Sequence, residues 1–586
     1  MAKRENNKKG RFRVITKNLK QYRWYIISGG FAVLAANGLM MINPYLMKIA
    51  FDKLENKEPA SHLIKIALLI VLFAITSGVF RFMMRRTIIW MSRKVEYNLR
   101  AELFGHLLKL NPTFYHNNRT GDIMARMTND IEAVRMMVGP GLMHIASGFI
   151  SSAIAISLML LLSPKLTLYS LIPLPLLSVV VNRVGHAIHK RYAKIQDYFA
   201  VLTSKVQENL AGVRVIRAYN QQQPEIDNFS EHSKHYIVLN MHMIKILALS
   251  MPILFAIAGT VNLFVLYFGG KSVISGSISL GTLVAFFAYL SMLIWPMIAM
   301  GWVVSLYERG KASLDRINKV LDTKPEVQSE SGADPSRVMK GKVEFRKLDF
   351  GYNGTPVLHD INLTIESGSI VGIVGPTASG KSTLISTIGR LFPIRRGMLF
   401  IDDTDINDWH LTALRRQIGF VPQEPFLFSD TLRNNILFGV DSGSQDLAVS
   451  AAKAAVIDEE IKEFPQGYDT ILGERGITLS GGQKQRVALA RAIAAEPRIL
   501  ILDDATSAVD TETEHLINLR MRSELSKRTS IVISHRASAV KDADMILYLE
   551  KGRIVESGNH DKLMTLDGKY AELYRTQLIE EELKKM

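Results

Sequence analysis

Residues 479–510 read LSGGQKQRVALARAIAAEPRILILDDATSAVD, and the fold of the second half of the chain follows from how this stretch is built. A polar, glycine-bearing loop of Ser480, Gly481, Gly482 and Gln483 runs into a helix-forming segment, then into an apolar strand at residues 499–502. That strand delivers two adjacent carboxylates, Asp503 and Asp504. An apolar strand ending in acid is how a phosphate-binding sheet presents carboxylates to Mg²⁺ at its carboxyl edge. Working outward, residues 368–383 read GSIVGIVGPTASGKST. A strand at 370–374 opens into Gly375, Pro376, Thr377, Ala378, Ser379, Gly380, Lys381, Ser382 and Thr383, followed by a helical pattern. This is G-x-x-x-x-G-K-[ST] in the strand–loop–helix context that the motif demands. Loop amides and the helix N-terminus point at phosphates, Lys381 neutralises the β/γ charge, and the Ser382 hydroxyl ligates Mg²⁺. Alanine tolerates a positive φ poorly, so at Ala378 either the backbone is helical-type or the loop is slightly altered.

The first half is of another kind. Of the 586 residues 48% are hydrophobic, and the long uncharged runs are concentrated before residue 305. Six runs of roughly 20 residues are long enough to cross a bilayer. They fall near 25–46, 63–84, 141–162, 166–184, 247–268 and 283–304, and only Ser163, Pro164 and Lys165 separate the third from the fourth. The net charge of +16 gathers beside these runs rather than on an aromatic-interleaved platform, which points to a membrane surface and away from nucleic acid. Zero cysteines excludes disulfides, thiolate metal sites and a thiol nucleophile.

The two connections after spans two and four carry most of the Lys and Arg, among them Arg85, Arg86, Arg93, Arg100, Arg119, Lys190, Arg191, Lys205 and Arg217. The positive-inside rule therefore places both connections, both termini and the second half in the cytoplasm of a multi-pass cell-membrane protein. Each connection is about 50 to 60 residues, too long for an ordinary loop, so spans two to five are expected to continue out of the membrane as helices. Short connectors are expected at 111–122 and 212–222. Methionines 40, 41, 251, 292, 297 and 300 either line an adaptable cavity or face lipid, and Pro44, Pro252 and Pro296 mark points where span helices can bend.

These motifs together resemble the ATP-binding-cassette (ABC) exporters, over residues 12–577. The resemblance implies a membrane all-α domain of six transmembrane helices with long cytoplasmic extensions, followed by an α/β P-loop nucleotide-binding domain. The expected boundaries are a tail and elbow helix at 1–24, the membrane domain at 25–308, a linker at 309–340, the ATPase at 341–578 and a charged tail at 579–586. Phe114, Tyr115, Arg119, Thr120 and Gly121 look like a first coupling helix, and Arg217, Ala218, Tyr219 and Asn220 like a second. Tyr352 resembles the aromatic that stacks on adenine, and Gln423 the glutamine that reaches Mg²⁺. Residues 473–476 and 507–510 resemble the exporter motif beside the coupling helices and the D-loop. His535 resembles the switch histidine that contacts the γ-phosphate. Asp503 then holds Mg²⁺ with Ser382 and Gln423, while Ser480, Gly481, Gly482 and Gln483 close over ATP bound to a partner.

One position departs from that pattern. The family usually places Glu after the Mg²⁺-binding Asp, and Asp504 is one methylene shorter. That withdraws the carboxylate by roughly 1.5 Å from the attacking water, a large error for positioned catalysis. The expectation is one subunit of a heterodimeric exporter of hydrophobic or amphipathic, drug-like compounds. Its own site binds ATP and Mg²⁺ but turns over slowly, and its signature loop completes the competent site of a second half-transporter. A lipid flippase, homodimeric or heterodimeric, is the alternative, and a gated channel a more distant one.

Overall fold

The structure is a computed structural model, and it describes residues 12–585 except 173, 331, 353, 474–475, 477–478, 506–516, 518–519 and 521–522. The chain forms two compact units, residues 1–108 with 119–323 and residues 109–118 with 324–586.

The first unit is helical throughout its described residues. Among the described residues, five helices are long and apolar enough to cross a membrane: Arg23–Glu55, Ala60–Leu107, Thr120–Leu162, Gln222–Ile274 and Leu280–Leu321. The apolar surface faces outward: Leu68, Val71, Leu72 and Ile75 are all more than half exposed. Water would not tolerate such a surface, and lipid does. The helix Ala60–Leu107 has 48 residues, about 72 Å at 1.5 Å per residue, against a hydrocarbon core of about 30 Å. Span two therefore does continue well beyond a bilayer, and the 53-residue helix Gln222–Ile274 does the same for span five.

The fourth expected span runs across residue 173, which lies outside the described residues. It is delivered as two helices, Pro164–Leu171 and Leu174–Ala211, and is not among the five. The sequence has prolines at 173 and 175, which have no amide hydrogen to donate. Pro44, Pro252 and Pro296 each lie inside an unbroken helix. Met41 packs in the helical core, where the Tyr289 hydroxyl donates to its carbonyl at 3.1 Å, so that methionine serves helix packing. The side chain of Met251 lies outside the described residues.

Both connectors fold as short helices, Pro112–Asn117 and Val213–Ala218. The first belongs with the second unit. Asn111 fastens it there, donating to Leu391 O at 3.3 Å and accepting from Glu326 N at 3.1 Å. The second has no buried residue, and Tyr219 beside it is 74% exposed.

In the second unit a four-stranded antiparallel sheet has the order β2 (Thr355–Ile365), β1 (Val343–Tyr352), β4 (Leu399–Ile401), β5 (Thr404–Asp405). A six-stranded sheet has the order β10 (Arg553–Gly558), β9 (Met545–Glu550), β3 (Ile370–Val374), β8 (Thr529–Ile533), β7 (Ile499–Asp503), β6 (Ile418–Val421). β3, β6, β7, β8 and β9 run parallel, and their near-continuous apolar runs are buried on both faces. One core joins the two sheets through Val343, Leu358, Ile373, Ile501 and Ile533. A second, built on the helix Gly481–Ala494, packs Val487, Leu489 and Ile493 against Leu427, Ile436 and Ile461.

Candidate functional site

Register places the chemistry. Ile373 pairs with Ile533, Ile533 with Asp503, and Val421 with Leu502, so the carboxyl ends of β3, β8, β7 and β6 lie side by side. The loop from Gly375, His535, the Asp503–Asp504 pair and Gln423 all leave from that one edge. This is where an open α/β sheet binds its ligand.

The loop after β3 is held in unusual backbone. Gly375 has φ 145°, and a Cβ there would sit 2.1 Å from Leu549 O, so no other residue fits. Gly380, φ 101°, turns the chain into the helix Lys381–Ile388. Ala378 has φ 62°, in the left-handed region, so the helical-type reading of this residue is overturned. An L-residue pays about 1–2 kcal/mol there through its Cβ contact with the following carbonyl. Ala378→Gly is expected to stabilise the nucleotide-binding unit by about 1 kcal/mol, raising its melting transition by roughly 2–4 °C in calorimetry.

Lys381 is buried, and its ammonium donates to Gly375 O and Pro376 O, both at 2.8 Å. Burial holds its pKa below the usual lysine range, against the pull of Asp503 and Asp504. The Ser382 hydroxyl donates to Asp503 Oδ1 at 3.1 Å. Burial pushes the Asp503 carboxyl above its ordinary range; the Ser382 hydroxyl, Lys381 and His535 pull it back, and Asp504 pushes with burial. The sign is that of a strained charge: above its raised pKa the Asp503 carboxylate destabilises the fold, and protonation relieves it as pH falls. A divalent cation relieves it equally well. A hydroxyl and a buried, electrostatically burdened carboxylate beside a phosphate loop suit Mg²⁺, which takes one or two protein oxygens and keeps water and phosphate as its other ligands.

Asp504 is buried and has φ 51°, another left-handed residue; its amide donates to Ile533 O at 2.9 Å. Gln485 Nε2, on the helix Gly481–Ala494, donates to its carbonyl at 3.5 Å, which ties that helix to the acidic pair. Gln423 is exposed, two residues beyond β6. Tyr352, at the end of β1, packs edge-on against Phe350 and Phe392 with centroids 5.2 and 5.1 Å away, and its hydroxyl donates to Thr383 Oγ1 at 3.3 Å. It borders a cleft of about 670 Å³ that also touches Thr113 of the first connector. Thr377 and Ala378 are exposed and Ser379 is buried, its carbonyl accepting from Gly552 N at 3.0 Å.

The signature loop is a helix N-terminus with a capping box. Ser480 Oγ accepts from Gln483 N at 3.2 Å, and Gln483 Oε1 accepts from Ser480 N at 2.9 Å. The Gln483 amide nitrogen donates to Glu460 at 2.9 Å, so both ends of that side chain are engaged within its own unit. Ser480 and Gly481 remain exposed at the helix start, where free amides favour an anion. Sequence reasoning missed Glu460 and Gln485, because each acts across a fold contact with no local pattern. The expected D-loop at 507–510, together with Glu474 and Arg475, lies outside the described residues.

This is a nucleotide-dependent membrane transporter in architecture: apolar spanning helices and a phosphate-loop ATPase on one chain. The sequence profile "ABC transporter transmembrane region" matches residues 26–297, and "ABC transporter" matches residues 358–507. The chain is 35% identical over 565 residues to the multidrug resistance-like ATP-binding protein MdlA of Escherichia coli, covering 96% of this chain and 95% of that one. It is 33% identical over 550 residues to the ATP-dependent lipid A-core flippase of Desulfotalea psychrophila, covering 93% and 96%. A bacterial Atm1-family ABC exporter solved with ATP bound superposes with TM-score 0.79 at 28% identity, covering 95% of this chain and 98% of that one. The chain belongs to the ABC transporter family, with the exporter fold. It is an ATP-hydrolysing, multi-pass membrane transporter.

Proposed function

We propose that this chain is the slow-site subunit of a heterodimeric exporter of hydrophobic or amphipathic, drug-like compounds, with the membrane domain at 25–308 and the ATPase at 341–578 in the cytoplasm. The observation that carries the reading is Asp504 itself: a buried carboxylate, one methylene shorter than Glu, on left-handed backbone just after β7. Lys381, Ser382, Asp503 and Gln423 hold Mg²⁺-ATP, Tyr352 stacks on adenine, and His535 faces the γ-phosphate. Ser480 and Gly481, set by the intact capping box, complete the ATP site of a partner half-transporter that carries the longer acid. Bound Mg²⁺ supplies charge neutralisation at the β- and γ-phosphates; the chain's residues bind, orient and exclude water around them.

The similarity to a lipid A-core flippase favours one second reading, lipid translocation by the same engine. ATPase stimulation in lipid nanodiscs separates the two. Cationic amphipathic drugs are expected to stimulate the assembled pair at least about twofold over lipid alone. Stimulation by added glycolipid and none by drugs would transfer the assignment to the flippase.

A further inference from the structure

The switch loop after β8 is held by the C-terminal helix, and we infer that Gln577 is the positioning residue that sets His535. The backbone around His535 is held from several sides. Ser534 N donates to Ile373 O at 3.2 Å, and Arg536 N donates to Ser534 Oγ at 3.0 Å. Two further contacts come from Gln577: its Nε2 donates to His535 O at 2.7 Å, and its Oε1 accepts from Ala537 N at 2.8 Å. Only one orientation of the amide satisfies both partners, so the side chain acts as a short strand paired to the loop.

The platform beneath it is rigid. The helix Lys569–Lys585 is capped by Glu556, whose carboxylate accepts from Lys569 N at 2.6 Å and Tyr570 N at 3.1 Å. Tyr570 is fully buried among Val374, Ala537, Val540 and Tyr548, and its hydroxyl meets His560 Nδ1 at 2.9 Å. Tyr574 and Gln577 stand four and seven residues further on, the same helical face. Val374 ends the strand that opens into the phosphate loop. One helix face thus supports the base of that loop and the backbone of the switch histidine.

The inference rests on His535 facing the γ-phosphate, and the experiment judges the clamp and that role separately. In the full chain in lipid nanodiscs, Gln577→Met keeps the side-chain length and removes both hydrogen bonds. Hydrogen exchange read by mass spectrometry on peptides spanning 534–540 is expected to accelerate about tenfold at Ala537, with melting unchanged within about 2 °C. For ATPase, kcat is expected to fall about three- to tenfold with KM within about twofold, and Gln577→Met with His535→Ala to be no slower than His535→Ala alone. Unchanged exchange at Ala537 overturns the clamp. Losses that multiply in the double variant, or a His535→Ala chain with full turnover, overturn its route through His535.

Discussion

Asp504→Glu is expected to raise ATP turnover of the purified chain by roughly 10- to 100-fold. A positioned general base contributes about 10²–10⁴ in rate, and a carboxylate one methylene short recovers only part of that. The surroundings are otherwise assembled: Ser382 on Asp503, Lys381 in the phosphate loop, and the Asp504 amide pinned to Ile533. The gain carries a stability cost. At φ 51° an aspartate is tolerated better than a glutamate, because its short side chain bonds locally, so the variant is expected to lose about 0.5–1 kcal/mol. Higher kcat with a slightly lower melting temperature is the signature. A flat kcat would show that carboxylate reach does not limit this site.

Lys381→Met is expected to weaken ATP binding about 10²–10³-fold while leaving the nucleotide-free fold nearly as stable. The ammonium is buried and held by two loop carbonyls, and removing one member of such a buried charged contact with phosphate costs about 2–5 kcal/mol. Without nucleotide the balance differs. Burial already depresses the lysine pKa, so below that lowered pKa its charge opposes folding, and methionine removes the opposition while orphaning the carbonyls. Titration with a fluorescent ATP analogue, with melting curves of the same preparation, reads both effects. A parallel loss of binding and melting temperature would make Lys381 a structural residue.

The second half of the chain was readable because its chemistry is local. A phosphate loop needs Gly375 and Gly380 at fixed offsets from Lys381, and an apolar strand ending in Asp503 is a contiguous signal; both stand where the pattern put them. The side-by-side carboxyl ends of β3, β8, β7 and β6 depend on strand order, which no spacing encodes. Ala378 shows the limit of local rules, since the loop's path to the phosphates forces positive φ whatever residue is there. Glu460, Gln485 and Gln577 were invisible for a related reason: their partners lie 23, 19 and 42 residues away. In the membrane half hydropathy marked the spans, and five of the six match apolar helices among the described residues.

The proposed asymmetry lies between two ATP sites. It is tested most directly by the steady-state ATPase rate of this chain purified alone, beside the rate of the same chain assembled with a half-transporter bearing Glu at the equivalent acid. The assembled pair is expected to turn over at least about tenfold faster, with its rate surviving Asp504→Asn in this chain. Equal rates for the two preparations, with the chain alone unaffected by Asp504→Asn, would contradict it.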